Sequence, residues 1–440
     1  MIELFNPFSA PESYRACLGI DWGEQKNCIH LLAAEAGEIE RFEIDADPAS
    51  MGAFVRGLRQ RFGAGRILAV SEQSKGALVN LLVDVEFIDL LAVNPKAAAK
   101  YRLSLHPGGS KSDPIDANAL LRMLFTHRDH MSRMCRGDEP SRRLDGLSRH
   151  RRNLVAQRVQ VALRLQSLLR RYYPQALGML GAGEIWDPIS LAFLRRWPCF
   201  SQLARTREQT LRQFYYTQGS RSARAIGRRL QHWRSSAALS SDTLLEQLGV
   251  IELSDDLEQL RVLNKQIHKL DTLIRNAYAQ HPDKVIFSSF PAAGPAMAPR
   301  LAAVFGTDRD RFESCAQLQA YVGIAPIKII SGTKLNRTFM RRFCPKFLKQ
   351  TFHEWAGLSI QFCPWAKACY RMLLDRGKGT AAAKRAIAFK WIRIMYRCWK
   401  NRTPYDENAY VQALIKRRSP IVEWMKKLGY LDEENTILFA

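Results

Sequence analysis

The stretch Ala16-Cys-Leu-Gly-Ile-Asp-Trp-Gly-Glu24 decides the fold of the first part of this 440-residue chain. Its first five residues are apolar or small, and the run then ends in an acid, a tryptophan and a glycine. This pattern predicts a short buried strand that finishes in a polar turn. A lone acid after such a strand is often only a turn residue, but its side chain also stands where it can leave the edge of a sheet.

The sequence around this strand predicts an α/β domain. Apolar runs typical of strands occupy residues 27–35, 38–44, 66–72 and 87–94. Residues 48–62 carry apolar side chains at the spacing of three and four that marks an amphipathic helix. Three strands come first and later strands alternate with helices, which predicts a mixed sheet covered by helices.

The charge of the chain predicts a polyanionic partner. Lys and Arg total 66 against 42 for Asp and Glu, which gives a formal net charge of +24. Nucleic acid is the first candidate partner and an anionic membrane surface is the second. The membrane interpretation is weak, because no apolar run approaches the ~20 residues that span a bilayer. The first fourteen residues also lack the basic start and apolar stretch of a secretory signal.

The nine cysteines predict reduced thiols in a cytosolic protein. Their number is odd and their spacing shows no pairing. Four possible zinc ligands fall close together at Cys344, His353, Cys363 and Cys369. No Cys-x-x-Cys pair accompanies them, so the usual ligand spacings argue against zinc.

Four acids occupy positions from which they can converge on divalent metal ions. Asp21 ends the first strand, Glu72 ends a second buried strand, and Asp113 and Asp116 lie in the first turn of a helix after the last strand. Hard cations prefer oxygen ligands, and two such ions can stabilise the attacking and leaving oxygens of a phosphodiester. The order strand, strand, helix start therefore favours a carboxylate cluster that binds metal.

The helix start at Ser112-Asp-Pro-Ile-Asp116 has two interpretations. The motif places an acid at the cap, a proline at the first helical position and a second acid on the same side of the turn. Asp-Pro-x-Asp is also a good helix cap with no catalytic meaning, and taken alone it favours that interpretation. Glu72 is harder to dismiss because unpaired acids are rarely buried. The four acids together therefore favour metal binding.

From Pro140 onward the sequence is mainly helical. Apolar residues recur every seven positions at 147–168 and step by three and four at 260–274, before His281-Pro282. These two arms predict an antiparallel coiled-coil hairpin, with core helices of a bundle as the alternative. An irregular helical insert, about 180–245, separates the arms and fits no motif.

The last part of the chain starts near residue 285. Phe290–Pro295 is predicted to be a loop that opens onto an apolar helix, Tyr321–Pro326 to be strand-like, and Ile329–Gly332 to be a loop. A serine in such a Ser-Gly step, here Ser331, is most often a turn residue. To act as a nucleophile it would need a base or positive surroundings, for which the nearby cations are Lys328, Lys334 and Arg337.

Basic residues suited to phosphate lie beside the acids and near the end of the chain. Lys111 precedes the Asp113 helix, with Lys96, Lys100 and Arg102 upstream, although each alone is more often a solvated surface residue. Residues 380–400 interleave aromatic side chains with Lys384, Arg385, Lys390 and Arg393. Those aromatic residues could stack on bases, but at helical spacing they more often belong to a core.

The chain resembles a known family at an ordered set of motifs. These are similar to the DEDD transposases of the insertion-sequence family numbered one hundred and ten, which are bridge-RNA-guided recombinases. In the first domain the similar motifs are Gly19–Gly23, Ser71-Glu72, Asn94-Pro95 and Lys111–Ala117. In the second they are Phe290–Pro295, Phe312-Glu313, Gly323–Pro326, Ser331-Gly332 and Lys384–Arg393. Ala292 departs from the pattern, because many relatives have the first glycine of a Pro-Gly-x-Gly loop there.

The resemblance implies three domains and a two-part active site. Residues 1–135 would form a RuvC-like RNase H fold, 136–283 a coiled-coil hairpin with a helical insert, and 284–440 a mainly α transposase domain. The four acids would hold Mg²⁺, with Mn²⁺ as a substitute, and Ser331 would form a covalent phosphoserine intermediate.

The implied partners are donor and target DNA, a structured guide RNA encoded by the element, and other copies of the chain in a tetramer built from dimers. Residues expected to bind nucleic acid are Lys111, Lys334, Arg337, Lys384, Arg385, Lys390 and Arg393. The expected location is the bacterial cytoplasm, in association with the nucleoid and not with a membrane.

Two other functions are compatible with the same residues. One is a metal-dependent junction nuclease of the RuvC type, which cuts without a covalent intermediate. The other is a non-catalytic scaffold that binds RNA or DNA through its basic helix and coiled coil. Loss of the Ser331 hydroxyl separates the junction nuclease, which should keep cutting, from a serine recombinase, which should lose strand transfer. Loss of the Asp21 carboxylate tests the scaffold, because recombination that survives this change would refute the metal site.

Overall fold

The computed structural model describes residues 13–35, 37–72, 76–134, 136–180, 183–331, 335–342 and 344–438. The chain divides into two compact units, one up to Arg136 and one from Gly137 onward. Each unit has its own buried apolar clusters. In the described ranges, no helix is both long enough and apolar enough to cross a membrane. The division into three domains remains a prediction.

A mixed sheet forms the centre of the first unit. Its strand order is β3-β2-β1-β4-β5-β6, with β1, β4 and β5 parallel and the outer pairs antiparallel. The strands are Ala16–Asp21 (β1), Lys26–Ala33 (β2), Ile39–Asp45 (β3), Ile67–Ser71 (β4), Ile88–Ala92 (β5) and Ser132–Arg133 (β6). The helices are Pro48–Phe62 (α1), Ala77–Leu82 (α2), Pro95–Leu105 (α3) and Asp113–His127 (α4), followed by a 3₁₀ turn at Arg128–His130. The predicted α/β organisation of this part is confirmed.

Helix α4 lies directly on β1 because residue 19 has no side chain. A Cβ atom on Gly19 would lie 2.3 Å from the carbonyl oxygen of Ala117 and 2.5 Å from the backbone nitrogen of Leu121. Leu121 and Cys17, which lies two residues before Gly19 in β1, belong to one buried cluster on this face of the sheet. The contact sets the first turn of α4 beside the carboxyl end of β1.

A pair of long antiparallel helices begins the second unit, Glu139–Tyr172 (α5) and Thr243–Ala279 (α11). Arg158 of α5 donates to Asn264 of α11 at 3.1 Å, and Arg171 donates to Glu252 at 2.6 Å, which fixes the antiparallel direction. The insert between them is helical, as predicted. Its helices are Gln175–Met179 (α6), Pro188–Arg196 (α7), Phe200–Ala204 (α8), Glu208–Thr217 (α9) and Ala223–Arg234 (α10).

The rest of the second unit is a helical body with one small β-ribbon. Its elements are Lys284–Ser288 (α12), Met297–Phe305 (α13), Cys315–Tyr321 (α14), Ile327–Ser331 (β7), Leu335–Phe339 (β8), Lys346–Phe362 (α15), Pro364–Asp375 (α16), Thr380–Asn401 (α17), Glu407–Lys416 (α18) and Pro420–Lys427 (α19). Trp391 and Trp399 of α17 are fully buried. The aromatic residues of this helix are therefore core residues, and the stacking interpretation is wrong for these two.

Two local predictions in this part are wrong. Tyr321 ends helix α14, and Gly323 turns the chain with a φ of 74°, so Tyr321–Pro326 is not a strand. Residues 329–331, expected in a loop, instead complete β7, which pairs antiparallel with β8. The reason is tertiary: a short segment becomes a strand once a second strand supplies backbone partners.

Gly19→Ala should destabilise the first unit, because the added methyl group meets the backbone of α4. We expect the free energy of unfolding to fall by about 3 kcal/mol. The matched control is Gly57→Ala in α1, where an added Cβ meets nothing within 4 Å. That change should raise the free energy by roughly 0.5–1 kcal/mol through helix propensity. Chemical denaturation measures both, and equal stability of the two variants would contradict the close packing.

Candidate active site

Two of the predicted acids meet at one edge of the sheet. Asp21 is the last residue of β1, and Glu72 directly follows β4. These strands are parallel neighbours whose register pairs Ile20 with Ser71, so the next residues along each strand are Asp21 and Glu72. Because the carboxyl ends of parallel strands face the same edge, both acids lie there.

The other two acids begin the helix that covers this edge. Helix α4 starts at Asp113 with Ser112 at its N-cap, and the amide of Asp116 donates to the carbonyl of Ser112 at 3.0 Å. Asp113 is thus the first helical residue and not the cap, which corrects the position expected from the sequence. No side chain caps this helix end. The capping interpretation of Asp113 and Asp116 therefore loses its support.

The four acids share one electrostatic environment. Burial and, to a smaller extent, the nearby carboxylates of Asp116, Glu72 and Asp113 together raise the pKa of Asp21 to about 7, against an opposing effect of Lys111. Burial and Asp116 also raise the pKa of Glu72. Like charges disfavour the ionised form of their neighbours, so these effects indicate that Asp116, Glu72 and Asp113 lie near Asp21.

An arginine already neutralises one member of this group. Arg102 of α3 donates to Asp116 with Nη1 and Oδ1 2.6 Å apart, and both side chains are largely buried. Among the described residues, no three His, Cys, Asp or Glu side chains stand in a ready metal-binding arrangement. Within the described residues, the four acids therefore do not form a closed set of metal ligands.

The chemistry of the four acids fits a divalent cation. All their donors are carboxylate oxygens, which are the ligands that hard cations prefer. Burial and neighbouring acids raise the pKa values of Asp21 and Glu72, against smaller opposing effects of Lys111 on both and of Arg102 on Glu72. A divalent ion held by Asp21, Glu72, Asp113 and Asp116 would favour the ionised form of these carboxylates.

Two neighbours of the acids were not recognised as such in the sequence. Cys28 of β2 pairs with Asp21 across the sheet, and the pKa of its thiol is raised to about 11 by burial and by Asp21 and Asp113. The sequence indicates Arg102 only as a basic residue that could face phosphate. Neither contact follows a fixed sequence spacing, because each joins separate elements of the fold.

The predicted serine lies in the second unit, at the end of β7. Its backbone pairs with Leu335 of β8. The side chain of Ser331 and the whole of Lys334 lie outside the described residues. Arg337 is exposed on β8, where it pairs with Ile329. The roles of these residues therefore remain predictions.

The basic residues predicted on α17 lie along one helix. Arg393 is exposed, while Lys384, Arg385 and Lys390 are half-buried. Lys384 and Arg385 lie near His353, since they contribute to lowering its pKa, which burial lowers most. None of the four has an acidic partner within salt-bridge distance in the part of the chain that the structure describes, so their positive charge is free to meet phosphate.

The structure gives no support to zinc. The thiol of Cys363 donates to Glu407 at 3.2 Å, and Cys363 and Cys369 are both buried. As noted above, the described residues contain no group of three metal-binding side chains, and this covers Cys344, His353, Cys363 and Cys369.

The loop before α13 keeps a glycine-type conformation at Ala292. Its φ is 58°, in the left-handed region that glycine favours. The surroundings impose this geometry: the indole of Trp355 donates to the carbonyl of Pro291 at 3.0 Å, and the amide of Ala293 donates to Phe290 at 3.1 Å. Ala292 therefore holds, with a side chain, a backbone conformation that glycine favours.

A mixed sheet with acids at parallel strand ends and at the start of the covering helix defines the class of RNase H-like nucleases and transposases. Comparison with known families agrees with this class. Residues 18–174 match a DEDD-type family described as "Transposase", and residues 285–371 match "Transposase IS116/IS110/IS902 family". The chain belongs to the IS110/IS116 family of insertion-sequence transposases, and it is a DNA transposase or recombinase.

Individual relatives agree over most of the chain. A Streptomyces coelicolor protein, named as the mini-circle transposase candidate for IS117, is 29% identical over 415 residues, which are 92% of this chain and 99% of the relative. An uncharacterized 44.8 kDa protein of insertion element IS116 from Streptomyces clavuligerus is 23% identical over 326 residues, 73% of this chain and 78% of the relative. The similarity therefore extends across both units.

Ala292→Gly should stabilise the second unit, because glycine adopts a φ of 58° without steric cost. We expect the free energy of unfolding to rise by about 0.5–1 kcal/mol. The control Ala293→Gly, at a neighbouring residue outside the left-handed region, should lower it by a similar amount. Denaturant unfolding measures both changes. A loss of stability in Ala292→Gly would show that the alanine side chain makes contacts worth more than the backbone strain.

Proposed function

We propose that this transposase cuts and rejoins DNA strands with a Mg²⁺-binding cluster of Asp21, Glu72, Asp113 and Asp116, a nucleophilic Ser331, and a structured RNA as guide. The observation that supports the cluster is the convergence of the four acids, seen in the pKa of about 7 for Asp21. Mn²⁺ should substitute for Mg²⁺, because the ligands are all oxygen.

The four acids would hold the ion at the edge of the sheet. When bound, a divalent ion stabilises negative charge on the phosphate and on the departing oxygen. Lys111 lies close enough to the acids to lower the pKa of Asp21 and Glu72, and it would draw the phosphate backbone toward them. Arg102 would then be released from Asp116 and could also face a phosphate oxygen.

In the serine step, the phosphoryl group of the DNA backbone passes from a sugar oxygen to the hydroxyl oxygen of Ser331. The Ser331 hydroxyl gives up its proton and attacks phosphorus, so an Oγ–P bond forms while the bond from phosphorus to one sugar oxygen breaks. That sugar oxygen takes up a proton. A sugar hydroxyl of another strand then attacks the phosphoserine, rejoins the DNA and restores the serine. Arg337 on the same ribbon, and Lys334, would neutralise the phosphate during both steps.

The proposed assembly includes RNA and several copies of the chain. The uncompensated residues Lys384, Arg385, Lys390 and Arg393 along α17 offer a surface for a nucleic acid backbone. The pair α5–α11 is proposed to be a coiled coil, which would support a tetramer built from dimers. A DNA substrate also implies an association with the bacterial nucleoid in the cytoplasm.

Ser331→Ala tests the covalent step. We expect strand transfer and the covalent protein–DNA adduct to disappear, because no other hydroxyl replaces the nucleophile, while DNA binding stays within about twofold. Asp21→Asn should also abolish transfer by weakening the metal site. Labelled DNA on denaturing gels shows both cut strands and adduct.

Thr338→Ala is the matched control, since it removes an exposed hydroxyl from the same ribbon. It should transfer strands at close to the wild-type rate. Cutting that persists in Ser331→Ala would identify a hydrolytic junction nuclease. Transfer that persists in Asp21→Asn would refute the carboxylate cluster and leave a scaffold role for the first unit.

The proposed RNA guide predicts a discrete RNA on the purified protein. Sequencing of co-purified RNA should give one structured species from sequence beside the gene, because guide pairing and not the protein would carry target choice. A bound population with the composition of total cellular RNA would contradict guidance. It would leave the DNA chemistry unaffected.

A further inference from the structure

A small cavity in the second unit collects arginine side chains from two separate elements. It lies where α5 and α11 meet the loop before α13, and it encloses about 40 Å³. Arg151 and Arg152 of α5 and Arg300 of α13 line it, together with Asp271, Ser148 and the end of the loop at Pro295 and Ala296. All these residues belong to one compact unit.

The positive charge around this cavity is only partly balanced. Arg151 pairs with Asp271, and Arg300 pairs with Glu354 at 3.1 Å. Arg152 has no acidic partner within salt-bridge distance among the described residues, yet it lies close enough to Arg300 to lower its pKa, which burial lowers most. The positive charge of Arg152 is therefore not balanced by an acid, and it lies beside the guanidinium groups of Arg151 and Arg300.

A buried hydroxyl group also lacks a partner at this place. Ser148 is 4% exposed, and its Oγ is buried with no hydrogen-bond partner among the described residues. A buried polar group without a partner costs free energy unless a ligand or water completes it. Because Ser148 lines the cavity, its hydroxyl is available as a donor to an oxygen that enters there.

The attraction for an anion at this cavity comes from its side chains and not from backbone amides. Helix α13 begins at Met297, one residue after Ala296 of the cavity wall. The amides of Met297 and Ala298 already donate to the carbonyl of Gly294, at 3.0 and 3.1 Å, and the next residue is Pro299. A second cavity, of about 330 Å³, also borders Pro295, and Arg275 and Lys284 line it. Basic residues therefore line both cavities that border this loop.

We propose that this cavity binds a phosphate group of a nucleic acid backbone, with Arg152 and the Ser148 hydroxyl as its main contacts and Arg300 as a fixed positive wall. The volume suits one or two phosphate oxygens, since one water molecule fills about 30 Å³ in the liquid. The proposal rests on the nucleic acid substrate of the proposed function and needs neither its metal nor its serine.

Arg152→Ala and Ser148→Ala test the site with two probes. The first probe is inorganic phosphate, which should raise the melting temperature of the wild type more than that of either variant at matched ionic strength. The second is the salt dependence of binding to duplex DNA and to an RNA hairpin, measured by fluorescence anisotropy. For Arg152→Ala, the slope against log salt should fall by about 0.9 if duplex DNA contacts the site. If the RNA hairpin contacts the site, the slope should fall for the hairpin instead.

Ser148→Ala separates binding from structure. Without ligand, its melting temperature should stay equal to the wild type or rise, because the change removes an unpaired buried hydroxyl. Its affinity for phosphate should nevertheless fall by about tenfold, as expected for a lost hydrogen bond to a charged group. A serine with a purely structural role would lower the melting temperature and leave phosphate binding unchanged.

Arg170→Ala is the matched control, since it removes an exposed arginine from the same helix outside the cavity. It should keep the wild-type response to phosphate. Asp21→Asn should keep the wild-type salt dependence of nucleic acid binding even when strand transfer is lost. Failure of the catalytic proposal can therefore be distinguished from failure of the phosphate site. Arg152→Ala with unchanged slopes for both nucleic acids and an unchanged phosphate response would overturn the site. A slope change for one nucleic acid identifies which backbone enters.

Discussion

The close contact between Gly19 and α4 is the constraint on which the first unit depends. An α-helix can approach a strand this closely only where the strand has no side chain, and here the backbone of α4 occupies the place of a Cβ. The contact brings Asp113 and Asp116 to the sheet edge where Asp21 ends β1. A residue with no functional group thereby determines the geometry of the acids.

In each unit, side chains of like charge lie close together, and the protein balances their charge only in part. In the first unit, neighbouring carboxylates add to the effect of burial in raising the pKa values of Asp21 and Glu72, and Arg102 pairs with Asp116. In the second, arginines gather around a cavity, and Arg152 has no acidic partner among the described residues. Such groups cost stability in isolation and are satisfied by ligands of opposite charge. A cation with a phosphodiester substrate would meet both demands.

The elements of the first unit follow from local patterns, because strands and helices with one buried face repeat apolar residues at the period of the element. Helix α1 has the predicted bounds, and the strands differ by a few residues at their ends. The prediction failed around Ser331, where a two-stranded ribbon replaces the expected strand and loop. A short strand depends on a partner strand, and local sequence does not specify that pairing.

The sequence by itself determined the α/β order, the long helices, the excess of positive charge and the four acids as an ordered set. Only the tertiary structure decided that Asp21 and Glu72 are neighbours, that Arg102 binds Asp116, and that Ser148 and Arg300 share a cavity. The physical reason is that periodicity and charge are local properties of the chain, so the order and spacing of residues reveal them directly. A contact between distant elements depends on packing, and a single sequence does not record how two surfaces meet.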